Sequence, residues 1–305
     1  MFPWLPLAAL IATPLLAQDD LETASVAAPF QDAQLQQLEV QAEQAQAEAI
    51  AEFQRFIEQH PDAEQTTTAR FRLAGLLMEQ AETSGAYGPA IEQLQRVLKD
   101  VELGESGSFE QHVEAWYMLG WCARLQEPTR AHQAWLRVTE IAPGTELAAS
   151  ALLHLGSQAM DQADWEQAAS YFEAIGETQA DPATAAQAAF LAGWTYYKTD
   201  AWSSAFDAFS TVLTQDSPSA PRDEALEYMV LVLVERCEAE GTRMAVQLDT
   251  ALARVPPALQ QAFLDRTIVV LEGMARFDQA EAVRRRGATD APMRKRVRTK
   301  RKDRG

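Results

Sequence analysis

A recurring glycine constrains this chain more than any other feature of its sequence. The intervals between successive copies are 45, 36 and 37 residues, and the glycines are Gly75, Gly120, Gly156 and Gly193. A second helix-patterned stretch follows each of them and carries a small residue at an equivalent place. These small residues are Ala90, Ala131, Ala168 and Ala205, with continuations at Ala245 and Ala280. Since neither stretch of such a pair can bury its apolar face alone, the pattern predicts an array of stacked helix pairs.

Close packing is the expected reason for these small residues. A glycine inside a helix costs about 1 kcal/mol relative to alanine, so its recurrence needs a compensating contact. We expect each glycine to face the small alanine of its partner helix, which would bring the axes to the short end of the range of about 8 to 10 Å. Four aromatic residues that precede these alanines by three positions should fill the remaining space, and they are Tyr87, Trp165, Trp202 and Phe277.

These units resemble the tetratricopeptide repeat (TPR), whose pattern is W-x2-L-G-x2-Y, then A-x3-F, then P. The matching residues are Trp116-x2-Leu119-Gly120 with Ala131-x3-Trp135 and Pro143, Ala168-x3-Phe172, and Gly193-x2-Tyr196 with Ala205-x3-Phe209. The resemblance covers roughly residues 45 to 287. It implies an all-α fold, a right-handed superhelix of about five to six TPR-like helix pairs.

Within this family the chain is most similar to periplasmic members. Phe56-x3-His60-Pro61, followed by the run from Ala69 to Gly75, is similar to repeat proteins of outer-membrane assembly and of the Tol-Pal division system. The resemblance implies a scaffold that binds proteins without catalysis. A lipoprotein would need a cysteine at position 18, where this chain has Gln18, so lipid anchoring is disfavoured.

The remaining segments suggest how the chain is organised. Residues 1–17 resemble a secretory signal, so we expect export to the periplasm. The positive charge that usually begins such a signal is missing, because no Lys or Arg precedes Arg55, and a cytosolic protein is the alternative. Residues 18–29 form a predicted linker, and residues 30–61 a long helix rich in Gln, Ala and Glu. Its apolar spacing allows self-association through residues 30–60, the alternative being a capping helix. The helical array is assigned to residues 62–287.

Charge is distributed unevenly along the chain. The net charge is -18, but residues 284–305 contain eleven Lys or Arg and two Asp, a net charge of +9, which leaves -27 for the rest. Residues 288–305 are too polar to pack and are predicted to be disordered. They form a candidate site for an anionic surface or polymer, the alternative being a solvated end that folds back on the acidic body. The proposed contacts are Arg294, Lys295, Arg296, Arg298, Lys300, Arg301 and Lys302.

No pattern of catalytic residues is present. Cys122 and Cys237 would lie about three units apart, beyond the reach of a disulfide, and are expected to be free, buried thiols. The four histidines are scattered, without ligand spacing, and are expected at the surface or at helix ends; they are His60, His112, His132 and His154. We therefore predict no enzyme activity, no cofactor, no metal site and no small-molecule substrate.

The TPR resemblance also implies a binding surface. In this family the first helix of each unit lines a concave groove, at positions three before and one, four and five after the glycine. The corresponding residues are Arg72, Tyr117, Trp121, Arg124, Phe190, Trp194, Tyr197 and Lys198. Aromatic and Arg side chains are frequent anchors of protein interfaces. The alternative is that Trp121 and Trp194 pack between adjacent units.

The sequence therefore predicts a non-enzymatic scaffold of the bacterial cell envelope that binds a segment of a protein partner in its groove. The alternative is a cytosolic adaptor that its basic tail tethers to nucleic acid or another polyanion.

Overall fold

A computed structural model describes residues 28–61, 65–104 and 110–288, and in these residues the chain forms thirteen α-helices and no β-strand. The chain divides into two units, Met1–Gln59 and His60–Gly305. The proposed export segment 1–17, most of the proposed linker 18–29 and the tail cations from Arg294 onward lie outside the described residues. None of the described helices combines the length and the apolar character needed to cross a bilayer.

The first unit contains one helix, α1 (Ala28–Gln59). Its sequence has no Gly or Pro after Pro29 and is rich in Gln, Ala and Glu, which favour helix. Leu38 and Val40 are 61% and 51% exposed. Self-association through residues 30–60 stays a prediction.

The second unit is a stack of six helix pairs, in which most helices pack against their neighbours in the sequence. The helices are α2 (Gln65–Ser84), α3 (Gly88–Glu102), α4 (His112–Ala123), α5 (Pro128–Ile141), α6 (Glu146–Asp161), α7 (Trp165–Ile175), α8 (Pro182–Lys198), α9 (Trp202–Thr214), α10 (Arg222–Ala239), α11 (Met244–Arg254), α12 (Gln260–Gly273) and α13 (residues 277–288). The predicted all-α solenoid of five to six helix pairs is confirmed.

The even-numbered helices are the first helices of the pairs, and from α4 onward successive members of this set touch. Contacts join α4 to α6, α6 to α8, α8 to α10 and α10 to α12. The first helices therefore line one continuous surface of the solenoid. This is the surface that the TPR resemblance assigns to the binding groove.

The recurring glycines make room for aromatic rings, so the expectation that they face the small alanines is wrong. A Cβ built on Gly193 would lie 2.7 Å from ring atoms of Phe209, and Cβ atoms on Gly120 and Gly156 would collide with Trp135 and Phe172. Each ring belongs to the residue four positions after the small alanine of the partner helix. Gly75 differs because nothing lies within 4 Å of its added Cβ. Its partner helix has Leu94 where the others have an aromatic residue.

In several helix pairs, the turn that joins the two helices contains one residue in the left-handed conformation. The residue five positions before the small alanine has a φ of 74° at Gly85, 58° at Ala163 and Asp200, and 59° at Ala275. At the first of the two alanines, Ala163 N donates to Met160 O and Asp164 N to Ala159 O, both at 2.9 Å. These two bonds form a Schellman motif, which satisfies carbonyls at the end of α6.

The left-handed turn predicts how substitutions at Ala163 rank. A Cβ is disfavoured at positive φ and a β-branched side chain more so, whereas glycine adopts this conformation freely. We expect Ala163→Gly to raise the free energy of unfolding by about 0.5 kcal/mol and Ala163→Val to lower it by about 1 to 2 kcal/mol. Denaturant titrations followed by circular dichroism measure both changes. A valine variant as stable as the parent would contradict the assigned conformation.

Aromatic residues that precede the small alanines join one unit to the next. The ring of Tyr87 meets Trp121 edge-on with centroids 5.6 Å apart, and Trp165 meets Trp194 in the same way at 5.5 Å. In each pair, the second ring belongs to the first helix of the following unit. Between these two junctions, the corresponding positions hold Pro128 and Ser157, which cannot form an aromatic pair.

The last pair ends the stack with charged residues. In register with α8 and α9, it has Glu272 in place of Tyr197 and Arg284 in place of Phe209. Arg284 forms an ion pair with Glu272. Phe277, which was expected to fill the core, is 63% exposed, so this expectation is wrong.

Candidate functional site

The eight residues predicted to bind a partner lie on three first helices, and we call them the first-helix face. Arg72 lies on α2. Helix α4 and its C-cap hold Tyr117, Trp121 and Arg124, and α8 holds Phe190, Trp194, Tyr197 and Lys198. Arg72 and Lys198 are exposed, and the other six are partly buried.

Trp121 lies between a tyrosine and an arginine. One neighbour is Tyr87, at the junction with the preceding unit. The other is Arg124, whose Cζ stands 3.5 Å from the centroid of the Trp121 ring and 5.7 Å from that of Tyr87. Arg124 Nη1 also donates to the carbonyl of Trp121 at 2.5 Å. The guanidinium is therefore held in place by an aromatic face and a backbone acceptor.

Trp194 repeats this arrangement on α8. Its ring meets Trp165 of the preceding unit, and Lys198 Nζ lies 4.6 Å from its centroid. Both tryptophans directly follow a recurring glycine, Gly120 or Gly193. Each therefore packs between two units and also carries a cation on its ring. Their role as anchors for a partner stays a prediction.

Tyr117 belongs to a partly buried cluster that links α4, α5 and α6. Its hydroxyl lies 3.2 Å from Nε2 of His154, and the His154 ring stacks on Trp135 with centroids 4.7 Å apart and planes at 15°. Burial, and then the charge of Arg124, lower the pKa of His154 to about 4. Burial also raises the pKa of Tyr117. His154 was expected at the surface or at a helix end, and this expectation is wrong: it packs in the interior between helices.

Phe190 and Tyr197 join α8 to α10. The rings of both contact Tyr228, at 5.8 and 5.9 Å, and Tyr228 stacks on Phe209. The hydroxyl of Tyr197 donates to Glu235 Oε1 at 2.7 Å. Burial and this neighbouring carboxylate raise the pKa of Tyr197. These two side chains stabilise the junction between units and present only part of their surface to solvent.

Among the described residues, no three His, Cys, Asp or Glu side chains lie close enough together to hold a metal ion. Cys122 and Cys237 are free and buried, as predicted. Burial raises the pKa of the Cys122 thiol to about 11, which disfavours the reactive thiolate. A pocket between α9, α10 and α11, lined by Trp202, Arg236 and Arg254 among others, encloses about 10 Å³, roughly the space of one water molecule.

Sequence reasoning missed the partners that hold the first-helix face in place. Tyr87 and Trp165 were noted for their spacing before an alanine, but the spacing gave no indication that they meet Trp121 and Trp194. His154 and Tyr228 had no signal, since each lies in an apolar stretch without a motif. Both tryptophan contacts join the aromatic residue three positions before a small alanine to the residue directly after the next recurring glycine, and a rule of this form would have found them.

Comparison with known proteins adds little to the geometry. No protein-family profile matches the sequence, and no curated protein is significantly similar to it. One similar solved structure is the crystal structure of the APC/C hetero-tetramer Cut9-Hcn1, with 17% identity and a TM-score of 0.33. The alignment covers 73% of this chain and 46% of the other. The stacked helix pairs themselves therefore assign the fold of this chain, which is a TPR-like all-α solenoid.

Proposed function

We propose that this protein is a non-enzymatic scaffold that binds a segment of a protein partner on the first-helix face. The observation that carries the proposal is the combination of partly buried aromatic rings with two cations fixed on them. Side chains of this kind provide a large contact area together with a polar group, and they lose little conformational freedom on binding because they are already held in place.

The bacterial cell envelope is the proposed location. It is supported by the resemblance of residues 1–17 to a secretory signal and by the similarity of the run from Phe56 to Gly75 to periplasmic repeat proteins. Amino-terminal sequencing of the mature protein tests it. Cleavage near Ala17 is expected, whereas an intact Met1 would contradict export.

Site-specific photo-crosslinking in the producing cells tests partner binding. A benzoylphenylalanine in place of Arg72 or Lys198, both exposed on first helices, is expected to crosslink one and the same protein. The matched controls replace Lys99 on α3 and Gln133 on α5, which are exposed on second helices. Equal crosslinking from the controls, or crosslinks from neither pair, would contradict the assigned surface.

A second candidate function is that of a cytosolic adaptor tethered to nucleic acid or another polyanion. The charge of the tail favours it, since residues 289–305 carry eight Lys or Arg and two Asp. Arg285 and Arg286, which begin the basic run, already pair with Glu281 and Asp249 of the body. Loss of polyanion binding on deletion of residues 289–305, together with an intact Met1, would favour this function over the envelope scaffold.

A further inference from the structure

The two middle helix pairs carry almost no positive charge. Residues 142–221, which contain α6 to α9 and their flanking loops, hold ten Asp or Glu and a single cation, Lys198. Of these ten carboxylates, only Asp207 forms an ion pair within the described residues, with Arg254 of α11 at 3.1 Å. The middle of the solenoid is therefore strongly negative and has no cations of its own to neutralise it.

Arginines of the last two helix pairs form ion pairs with carboxylates of the pair before them. The four contacts are Arg254 with Asp207, Arg266 with Asp223, Arg276 with Glu238, and Arg286 with Asp249. Cations thus join the fourth pair to the fifth and the fifth to the sixth. Helices α8 and α9 cannot continue this pattern towards α6 and α7, because Lys198 is their only cation.

Several of the unpaired carboxylates lie along one edge of the solenoid, where each second helix ends and the next first helix begins. We call it the inter-unit edge. Its carboxylates from α6 to α10 that form no ion pair in the described chain are Glu146, Glu177, Asp181, Asp216 and Glu224. The amide of Gln179 donates to the carbonyl of Gly144 at 2.9 Å, which holds the loops of Glu146 and Glu177 side by side.

The cations at this part of the inter-unit edge are too few to neutralise these carboxylates. Arg222 donates to the backbone carbonyl of Gln215, whereas Arg254 and Arg266 pair with the further carboxylates Asp207 and Asp223. Lys198 lies at the other end of α8, on the opposite edge. The inter-unit edge therefore keeps a net negative charge after its own arginines are counted.

The basic tail leaves the solenoid at this same edge. A Cβ built on Gly287, near the end of α13, would lie 3.4 Å from Leu264, near the start of α12. The next 17 residues, 289–305, contain eight Lys or Arg and two Asp. Helix spacings of about 8 to 10 Å place the ends of α9 and α7 roughly 16 to 30 Å from the end of α13. An extended chain covers this distance with about five to nine residues, so the tail is long enough.

We propose that residues 289–305 bind along the inter-unit edge and neutralise the carboxylates of α6 to α10 that lack a cation. The tail has the opposite charge, and its eight Lys or Arg exceed the five carboxylates available. Its binding would continue the direction in which arginines of the last two pairs contact the preceding pair. The edge lies outside the first-helix face, so the inference does not depend on the scaffold function. An external polyanion has to displace the tail from this edge before it can bind.

Photo-crosslinking within the full chain tests this inference. Benzoylphenylalanine replaces Val297, an uncharged position in the middle of the basic run, in dilute and nuclease-treated protein. Mass spectrometry of the crosslinked peptides then locates the contact. We expect crosslinks within one chain to residues 142–146, 176–181 or 215–224. Their yield should fall about fivefold or more between about 20 and 500 mM salt, since salt screens exposed charges.

Matched variants at exposed positions locate the surface, and thermal melting verifies that they are folded. Glu177→Gln with Asp216→Asn should lower the yield about threefold or more at the salt concentration of half-maximal crosslinking. Asp161→Asn with Asp200→Asn removes the same charge from the opposite edge and should change the yield by less than about 1.5-fold. Equal yields in the two variants, crosslinks to the opposite edge or between two chains, or no crosslink to the body at low salt would overturn the inference.

Discussion

Gly193→Ala is expected to lower the free energy of unfolding by about 2 to 3 kcal/mol, although alanine is the better helix former. The added Cβ would stand 2.7 Å from Cδ1 and Cε1 of Phe209. This ring cannot easily move, because it is fully buried, stacks on Tyr228 with planes at 14° and meets Phe190 edge-on. The new methyl group therefore has to displace the junction between α8, α9 and α10.

Gly75→Ala is the matched control for this prediction. It makes the same chemical change at the corresponding position of α2, where nothing lies within 4 Å of the added Cβ. Helix propensity then acts alone and should raise stability by about 0.5 to 1 kcal/mol. Guanidinium titrations of the two variants should give changes of opposite sign. If both variants shift in the same direction, the aromatic ring is not the reason for the recurring glycine.

Acidification below pH 6.5 is expected to destabilise the protein through His154, the second large effect. Burial, aided by Arg124, lowers its pKa from 6.5 to about 4, so the folded protein holds this side chain neutral. Below pH 6.5 the unfolded chain binds a proton that the folded chain does not, and stability falls until the pH reaches the folded pKa. The full effect is about 3 kcal/mol, and stability is unaffected by this group above pH 7.

A difference between variants isolates this effect from the carboxylates that titrate in the same range. His154→Phe keeps a ring on Trp135 but cannot bind a proton, and Tyr117 still has Ser150 as a hydrogen-bond partner. The loss of stability between pH 7.5 and pH 4.5 should be smaller in this variant than in the parent by about 2 to 3 kcal/mol. His132→Gln, at a histidine that hydrogen-bonds to Gln158 outside this cluster, is the matched control. An unchanged pH dependence in His154→Phe would contradict the buried neutral state.

Much of the fold follows from the sequence, because helix pairs leave a local signature. The period of apolar residues along α4 to α9 shows where each helix lies, and a glycine and an alanine of fixed spacing show which two helices form a pair. The run from Tyr228 to Val234 in α10 is apolar all round, which favours burial on both sides, and Val230, Val232 and Val234 are buried. Both cysteines are free because the array separates them in space as it does in sequence.

The candidate site could be predicted in outline only. Family spacing placed the residues of the first-helix face on the first helices, but their environments depend on side chains about 30 to 40 residues away. Trp121 is fixed by Tyr87, and Trp194 by Trp165. His154 lies in an alanine- and leucine-rich helix with no signal of its own, and its pKa depends on its burial between helices and on Arg124, which another helix supplies.

The sequence by itself thus determined the helices, their pairing and the residue types on the first-helix face, because these depend on periodicity within about 40 residues. Only the tertiary structure decided which atoms meet: the glycines face rings instead of alanines, and Phe277 is left exposed at the last pair. It also decided that Arg124 and Lys198 rest on tryptophans without a carboxylate partner. Such contacts join successive units, so they depend on how two helix pairs are rotated against each other, which no local pattern records.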